Sequence, residues 1–199
     1  SHAASYALIA YHTAYLKSNF SHEFMTATLN YSIERTDKII LLRKELDRLN
    51  INLLKPDINY SNELFSIELN KNNVKCIRFG LAAIKGVGLK SISNLVKDRN
   101  KQGKYKDTIE FMQRLSGEVI NKRQLEKLIQ AGAFDSIEKN RAMLFENVLK
   151  FVDLFGGELQ YQNQEMLFDD HKISYKDKNL FFQNIENWRP TKLLKNELE

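Results

Sequence analysis

The sequence holds little of what would mark an extracellular, metal-built or membrane-spanning protein. One cysteine, Cys76, stands in 199 residues, so no internal disulfide framework is available, and a lone thiol suits a reducing cytoplasm. Only four histidines are present; His2, His12 and His22 do not fall at metal-ligand spacing, and no cysteine cluster accompanies them. No closely spaced carboxylate pair sits in a context that would let it hold catalytic metal ions. No apolar run approaches the length of a membrane span, and no secretory leader is expected. Proline occurs twice and glycine eight times, so each reads as punctuation. With 43% hydrophobic residues the composition is that of a globular chain rather than a disordered one, long enough for one large domain or two small ones. It opens at Ser1 without a methionine and stops at Glu199 in a charged, helix-like stretch, which reads as a piece of something longer.

The net charge of +5 is unevenly spread. Between residues 85 and 107 stand Lys85, Lys90, Lys97, Arg99, Lys101, Lys104 and Lys106, opposed only by Asp98 and Asp107. Residues 151–170 hold Asp153, Glu158, Glu165, Asp169 and Asp170 and no lysine or arginine. The basic window coincides with residues 81–96, whose order is a short apolar helix, a Gly86-Val87-Gly88 turn and a second helix. That is the layout of a helix-hairpin-helix unit. A reversal of this tightness favours glycine, and the amides of Gly86, Val87 and Gly88 would face a phosphate at the positive end of the second helix. Leu81, Ile84, Ile92 and Leu95 are expected to pack the helices together, with Lys85 and Lys90 flanking the anion. Such a unit contacts the sugar-phosphate backbone and reads no bases. Clustered cations beside it fit polyanion binding, although an ordinary αα-hairpin with a solvated basic face has the same pattern.

Along the chain, residues 3–17 are rich in Ala, Tyr and Leu and read as a largely buried helix. Ser21 reads as the N-cap of a second helix through Phe24, Met25 and Leu29. Ile39, Leu42, Leu46 and Leu49 give residues 37–49 an amphipathic helical stripe that Asn50 ends, and Pro56-Asp57 marks an extended loop. Phe65, Ile67 and Leu69 alternate with Ser66 and Glu68 as a half-buried strand, joined through a turn at residues 70–73 to a second strand over Val74–Phe79. Asn121 and Gln124 have capping-box spacing before a helix with Leu125, Leu128 and Ile129 inward, and Gly132 suits its left-handed end. A helix over 139–155 follows, with Leu144, Phe145, Val148, Leu149 and Val152 inward, which makes a second, degenerate copy of the hairpin unit. In that copy, Asn121, Lys122 and Arg123 are either phosphate contacts or solvated surface. After Gly156-Gly157 the composition turns acidic and polar, as in a linker, and includes Gln164-Glu165-Met166-Leu167-Phe168.

Several blocks together carry a resemblance: Ser1-His2-Ala3-Ala4-Ser5-Tyr6-Ala7 and on to Lys17, Glu23-Phe24-Met25, Leu54-Lys55-Pro56-Asp57-Ile58-Asn59, Ile77 to Gly88, Asn121-Lys122-Arg123 and Ala131-Gly132-Ala133-Phe134-Asp135. In this order and at these spacings the chain resembles the alpha subunits of bacterial DNA polymerase III, the C-family replicative polymerases, over roughly its first 170 residues. The resemblance implies a mainly α fold divided as the end of the fingers (1–60), a β-hairpin connector (61–80), a tandem helix-hairpin-helix module that holds duplex DNA (81–156) and a linker (157–199). Gln164, Leu167 and Phe168 resemble the family's docking motif for the sliding clamp, its beta subunit. A glutamine amide satisfies a polar pocket, and paired Leu and Phe fill a hydrophobic groove. The intact family member is a DNA-directed DNA polymerase that works with other holoenzyme subunits, uses Mg2+ in a palm, and has a histidine-rich metal-binding domain. Neither palm nor histidine-rich domain matches this stretch, so no catalytic or metal residues are expected in it. Ser1-His2 falls where the family's fingers approach the incoming nucleotide. Two other readings are a stand-alone helix-hairpin-helix accessory protein of repair or recombination, and a purely structural interaction module.

Overall fold

The structure, a computed structural model, describes residues 2–115, 119–148, 150 and 185–198. The fold is mainly α. Three helices open it: α1 (His2–Asn19), α2 (Ser21–Tyr31) and α3 (Thr36–Arg48). Met25 and Leu29 of α2 meet Ile39 and Leu46 of α3 in a first core that Ile51, Phe65 and Ile77 complete. The left-handed Asn50 (φ 53°) ends α3, with the Ile51 amide donating back to Leu46 O at 2.9 Å, which satisfies a carbonyl of the last turn.

Two expectations for this region are corrected. Helix α1 is not buried: none of its residues is, and Tyr6, Leu8, Ile9, Tyr11, Tyr15 and Leu16 are all exposed. Its apolar residues run around the whole circumference, a pattern that reads as core, yet the helix packs on α2 and leaves its other sides open. Ser21 is not a cap. Phe20 stands at that position without a side-chain cap; its amide donates to Leu16 O of α1 at 2.8 Å and its carbonyl accepts from Phe24 N at 2.9 Å. The backbone is thus nearly continuous across the joint, and there is little for a cap to satisfy.

The expected β-hairpin is present as β2 (Ser66–Leu69) and β3 (Lys75–Arg78), paired antiparallel with Ile67 opposite Ile77. Its turn is held by Asn70 Oδ1, which accepts from Asn72 N at 2.9 Å and Val74 N at 3.0 Å. The alternation buries Phe65 only; Ile67 is half-buried and Leu69 exposed. A third strand, β1 (Leu53–Leu54), pairs parallel with β3 and gives the order β1-β3-β2. Two residues ahead of Lys55-Pro56 are too few to show a period, so it was not legible as a strand.

The second core gathers the rest. A 3-10 turn (Leu81–Ala83) leads to α4 (Leu89–Gln102), α5 (Thr108–Leu115), α6 (Lys122–Gln130) and a helix α7 whose described residues are 141–148 and 150. The first helix of the expected hairpin unit is therefore one 3-10 turn, because Gly80 and Lys85-Gly86 bound it closely on both sides. Three rings run through this core: Tyr105 to Phe111 and Phe111 to Phe134, each 4.9 Å between centroids and edge-on. Ile58 joins them from the loop after β1, its amide donating to Ala133 O at 2.9 Å. Leu144 and Val148 of α7 are inward, as expected; Leu149 and Val152 lie outside the described residues.

Within the stretch read as linker, Pro190–Leu198 is a helix, α8, lying against α6. Trp188 before it meets Phe145 edge-on at 5.3 Å, and Asn187 Nδ2 donates to Lys139 O at 3.0 Å. Glu197 accepts from Arg141 at 2.8 Å and Lys55 at 3.2 Å. Residues 151–184, most of the expected linker, lie outside the described residues. Burial raises the Glu197 pKa, but the hydrogen bonds from Arg141 and Lys55 outweigh it and hold the group below its usual 4.5. A depressed carboxylate stabilises its contact fully above the ordinary value and loses that contribution as pH falls through the depressed one. Trp188, the single tryptophan, should therefore keep its emission at neutral pH and shift to the red on acidification as α8 lets go. Glu197→Gln should shift emission already at neutral pH and flatten the acid response; a pH titration of fluorescence on both proteins checks this.

Candidate nucleic-acid interface

The 3-10 turn ends at Ile84, and the chain reverses over Lys85–Gly88 into α4. Leu81, Ile84, Ile92 and Leu95 are all buried, as the hairpin pattern requires. Gly86 has φ +84°, a left-handed conformation that a side chain disfavours, whereas Gly88 at φ −75° has ordinary backbone. Val87 is buried, and its amide donates to Ile84 O at 3.1 Å. That amide is occupied within the turn, so of the three residues singled out only the two glycines present open backbone. The donors facing outward continue instead into the first turn of α4, where Leu89, Lys90 and Ser91 have no intrahelical acceptor and no side chain caps them. No acidic residue stands in that turn, so the partial positive charge of the helix end is not neutralised locally.

The hairpin is seated on α6. A Cβ at Gly88 would lie 3.3 Å from Gln124 Nε2, and one at Gly86 would lie 3.6 Å from Lys127 Cγ. The expected capping box is formed: Gln124 N donates to Asn121 Oδ1 at 3.0 Å and Asn121 N to Gln124 Oε1 at 3.2 Å. The same Gln124 oxygen accepts from Ser91 Oγ at 3.2 Å. One amide thus ties the start of α4 to the start of α6, and α6 likewise has no acid in its first turn. Sequence reasoning found the box but missed the bridge, because Ser91 and Gln124 are 33 residues apart and no local period links them.

The second hairpin, α6–turn–α7, is built differently. Gly132 is left-handed (φ +78°), as expected, but a Cβ there would collide with Arg141 Nη2. Arg141 is buried against that turn: Nε and Nη2 donate to the two Asp135 oxygens at 2.8 and 2.5 Å, and Nη1 to Gln130 O at 3.2 Å. An internal ion pair fills the space beside this turn.

Of the basic window, Lys85, Lys90, Lys97 and Lys101 are exposed, and none is within ion-pair distance of a carboxylate among the described residues. Arg99 is the exception to the expected patch: it is buried, with Nη1 donating to Ile58 O at 2.8 Å and Ser61 O at 2.7 Å. Asn121, Lys122 and Arg123 are exposed at the head of α6, with Lys122 3.7 Å from Glu126. Gln164, Leu167 and Phe168 lie outside the described residues, as does Ser1; His2 is exposed at the head of α1. Among the described residues no group of three or more His, Cys, Asp or Glu is arranged to hold a metal ion, and no helix is long and apolar enough to cross a membrane.

The class that this geometry defines is the one matched by a family model: a helix-hairpin-helix motif over residues 50–144. The curated relatives are consistent. The chain is 36% identical over 202 aligned residues, its whole length, to the DNA polymerase III subunit alpha of Xylella fastidiosa, of which it spans 16%. The subunit alpha of Borreliella burgdorferi is 41% identical over 77% of the chain and 13% of that protein. That of Campylobacter jejuni is 42% identical over 74% of the chain and 12% of that protein. Over most of its length the chain is thus homologous to DNA polymerase III alpha subunits, as a segment covering about a seventh of their length.

The two turn glycines should respond differently to a methyl group. Gly86→Ala should cost about 1–2 kcal/mol, from the left-handed φ, whereas Gly88→Ala should cost less than about 0.5 kcal/mol. Urea unfolding of the two variants checks this.

Proposed function

We propose that residues 81–156 hold the sugar-phosphate backbone of duplex DNA without reading sequence, in a longer polymerase whose catalysis, with its Mg2+, resides in a palm outside this stretch. Residues 1–60 are then the end of the fingers and 61–80 a connector. The observation that supports this most directly is the start of α4: open amides of Gly86, Gly88, Leu89 and Lys90, no local carboxylate, and unpaired Lys85 and Lys90 beside them. Phosphate at a helix N-terminus is stabilised by the same donors and dipole. A few such contacts give weak affinity, roughly 10⁻⁴–10⁻⁶ M at physiological salt. Tethering to a ring around DNA would raise the local concentration and make that weak grip sufficient. Gln164, Leu167 and Phe168 are assigned to such a tether on the sliding clamp, and the remaining partners to the polymerase holoenzyme.

Fluorescence anisotropy of a labelled mixed-sequence duplex across several salt concentrations tests the grip. Binding should be indifferent to sequence and weaken with salt. Lys85→Ala and Lys90→Ala should each lower the log–log salt slope by about 0.9, the value for one lost phosphate contact. Gly86→Val/Gly88→Val should abolish binding. A double variant that binds like the parent would reduce the lysines to generic surface charge. For the tether, Leu167→Ala/Phe168→Ala should lose the clamp in a pull-down, and retention would remove those residues from the assignment.

A further inference from the structure

The loop over residues 57–62 is held far more firmly than its place on the surface requires. Asn59 exchanges two hydrogen bonds with the Tyr105 backbone, each 2.8 Å. Asp57 Oδ1 accepts from Asn59 N at 2.7 Å and Ser136 Oγ at 3.1 Å, and Asp57 N donates to Ser61 Oγ at 3.0 Å. The Arg99 guanidinium fastens the carbonyls of Ile58 and Ser61 from below and donates to Asn62 Oδ1 at 3.2 Å. Asn59, Ser61 and Arg99 are all buried. Burying three polar side chains under one loop is costly unless every bond is made, and the resulting network fixes the backbone.

What this foundation presents to solvent is a single ring. Tyr60 is 50% exposed between two buried neighbours. The Lys104 ammonium lies 3.6 Å from its ring centroid and the Arg78 guanidinium carbon 5.8 Å away. Arg78 is paired with Glu68 at 2.6 Å, whereas Lys104 is exposed and has no carboxylate within ion-pair distance among the described residues. An aromatic platform with an unpaired cation at its face is the arrangement on which an unpaired base stacks while a neighbouring phosphate takes the cation. A surface cation–π contact is weak enough to be exchanged, and Lys104 is long enough to move from ring to phosphate.

We propose that Tyr60, with Lys104 and Arg78, is a stacking site for an unpaired base of a single-stranded nucleic acid. Bases within a duplex are already stacked and offer no face, so the ring selects single strands. The site lies toward the C-terminal end of α4, on the order of 20 Å along the helix from the hairpin at its start. It is therefore separate from the duplex contact and does not rest on it. The presentation is preorganised, so little ordering cost falls on binding.

The test is anisotropy of labelled oligo(dT) and of a labelled duplex at low salt, with the 199-residue chain and its variants. Tyr60→Ala should weaken oligo(dT) binding about tenfold and leave duplex binding within twofold. Tyr60→Phe should bind like the parent, since the face and not the hydroxyl is used. Gly86→Val/Gly88→Val should show the reverse selectivity, so loss of the duplex reading and loss of this one are distinguishable. The proposal is overturned by absence of oligo(dT) binding in the parent, by an unaltered Tyr60→Ala, by equal losses on duplex and single strand, or by a Tyr60→Phe as weak as the alanine. The exposed side chain makes misfolding a poor explanation for a loss, and matching circular dichroism melts confirm that the variants fold.

Discussion

A buried guanidinium organises the middle of this molecule. Arg99 projects from the inner side of α4, where it is held by two main-chain carbonyls and an asparagine oxygen, with no carboxylate in ion-pair contact among the described residues. Burial lowers its pKa, against the favourable fields of Tyr105, Glu63 and Asp57. A charge removed from water in this way depends on the oxygens that its donors reach. The carbonyls it holds belong to the loop that leaves the sheet at β1 and enters the second core at Ile58, while Phe79 after β3 packs against both cores. One contact between the helical first segment and the hairpin module thus passes through α4, the same helix whose other end faces outward at Gly88. Structural and surface roles share one element and are kept apart by its length.

Much of this arrangement was legible in the sequence. The stripe Ile39, Leu42, Leu46 and Leu49, the Asn121–Gln124 box, the Asn70 turn and the Gly86 reversal are local devices, and local periods and spacings report them. What escaped was non-local. Strand β1 exists only because β3 stands beside it: Ile77 N donates to Asn52 O at 2.9 Å and Phe79 N to Leu54 O at 3.1 Å. Arg99 counted as surface charge because a lysine-rich window gives no hint that one of its cations turns inward. Helix α1 failed for the opposite reason. Its composition states what kind of surroundings it suits, and the described residues supply α2 and, at its end, an ion pair from Lys17 to Glu45 of α3.

The two hairpins show how one local pattern yields different ends. Both turn through a left-handed glycine, Gly86 and Gly132. Beside Gly86 the neighbouring side chain is Lys127, 3.6 Å from where a Cβ would be, and the turn stays open. Beside Gly132 the neighbour is Arg141, which carries its own counterion in Asp135 and a second in Glu197 of α8. Glycine there makes room for a guanidinium rather than for a ligand. A repeated motif therefore cannot be assigned a repeated task until the atom that fills each turn is known.

The charge that α4 presents at its start has a property that side-chain charge lacks. It comes from main-chain amides and an aligned row of peptide dipoles, which neither gain nor lose a proton in the range where proteins are folded. A histidine side chain changes its charge when its surroundings acidify; the charge at this helix end keeps its sign and size, and Gln124, which braces it, is equally inert. Its electrostatics answer to dissolved ions alone, through screening, so the hairpin end behaves as a fixed electrode whose setting is the ionic strength around it.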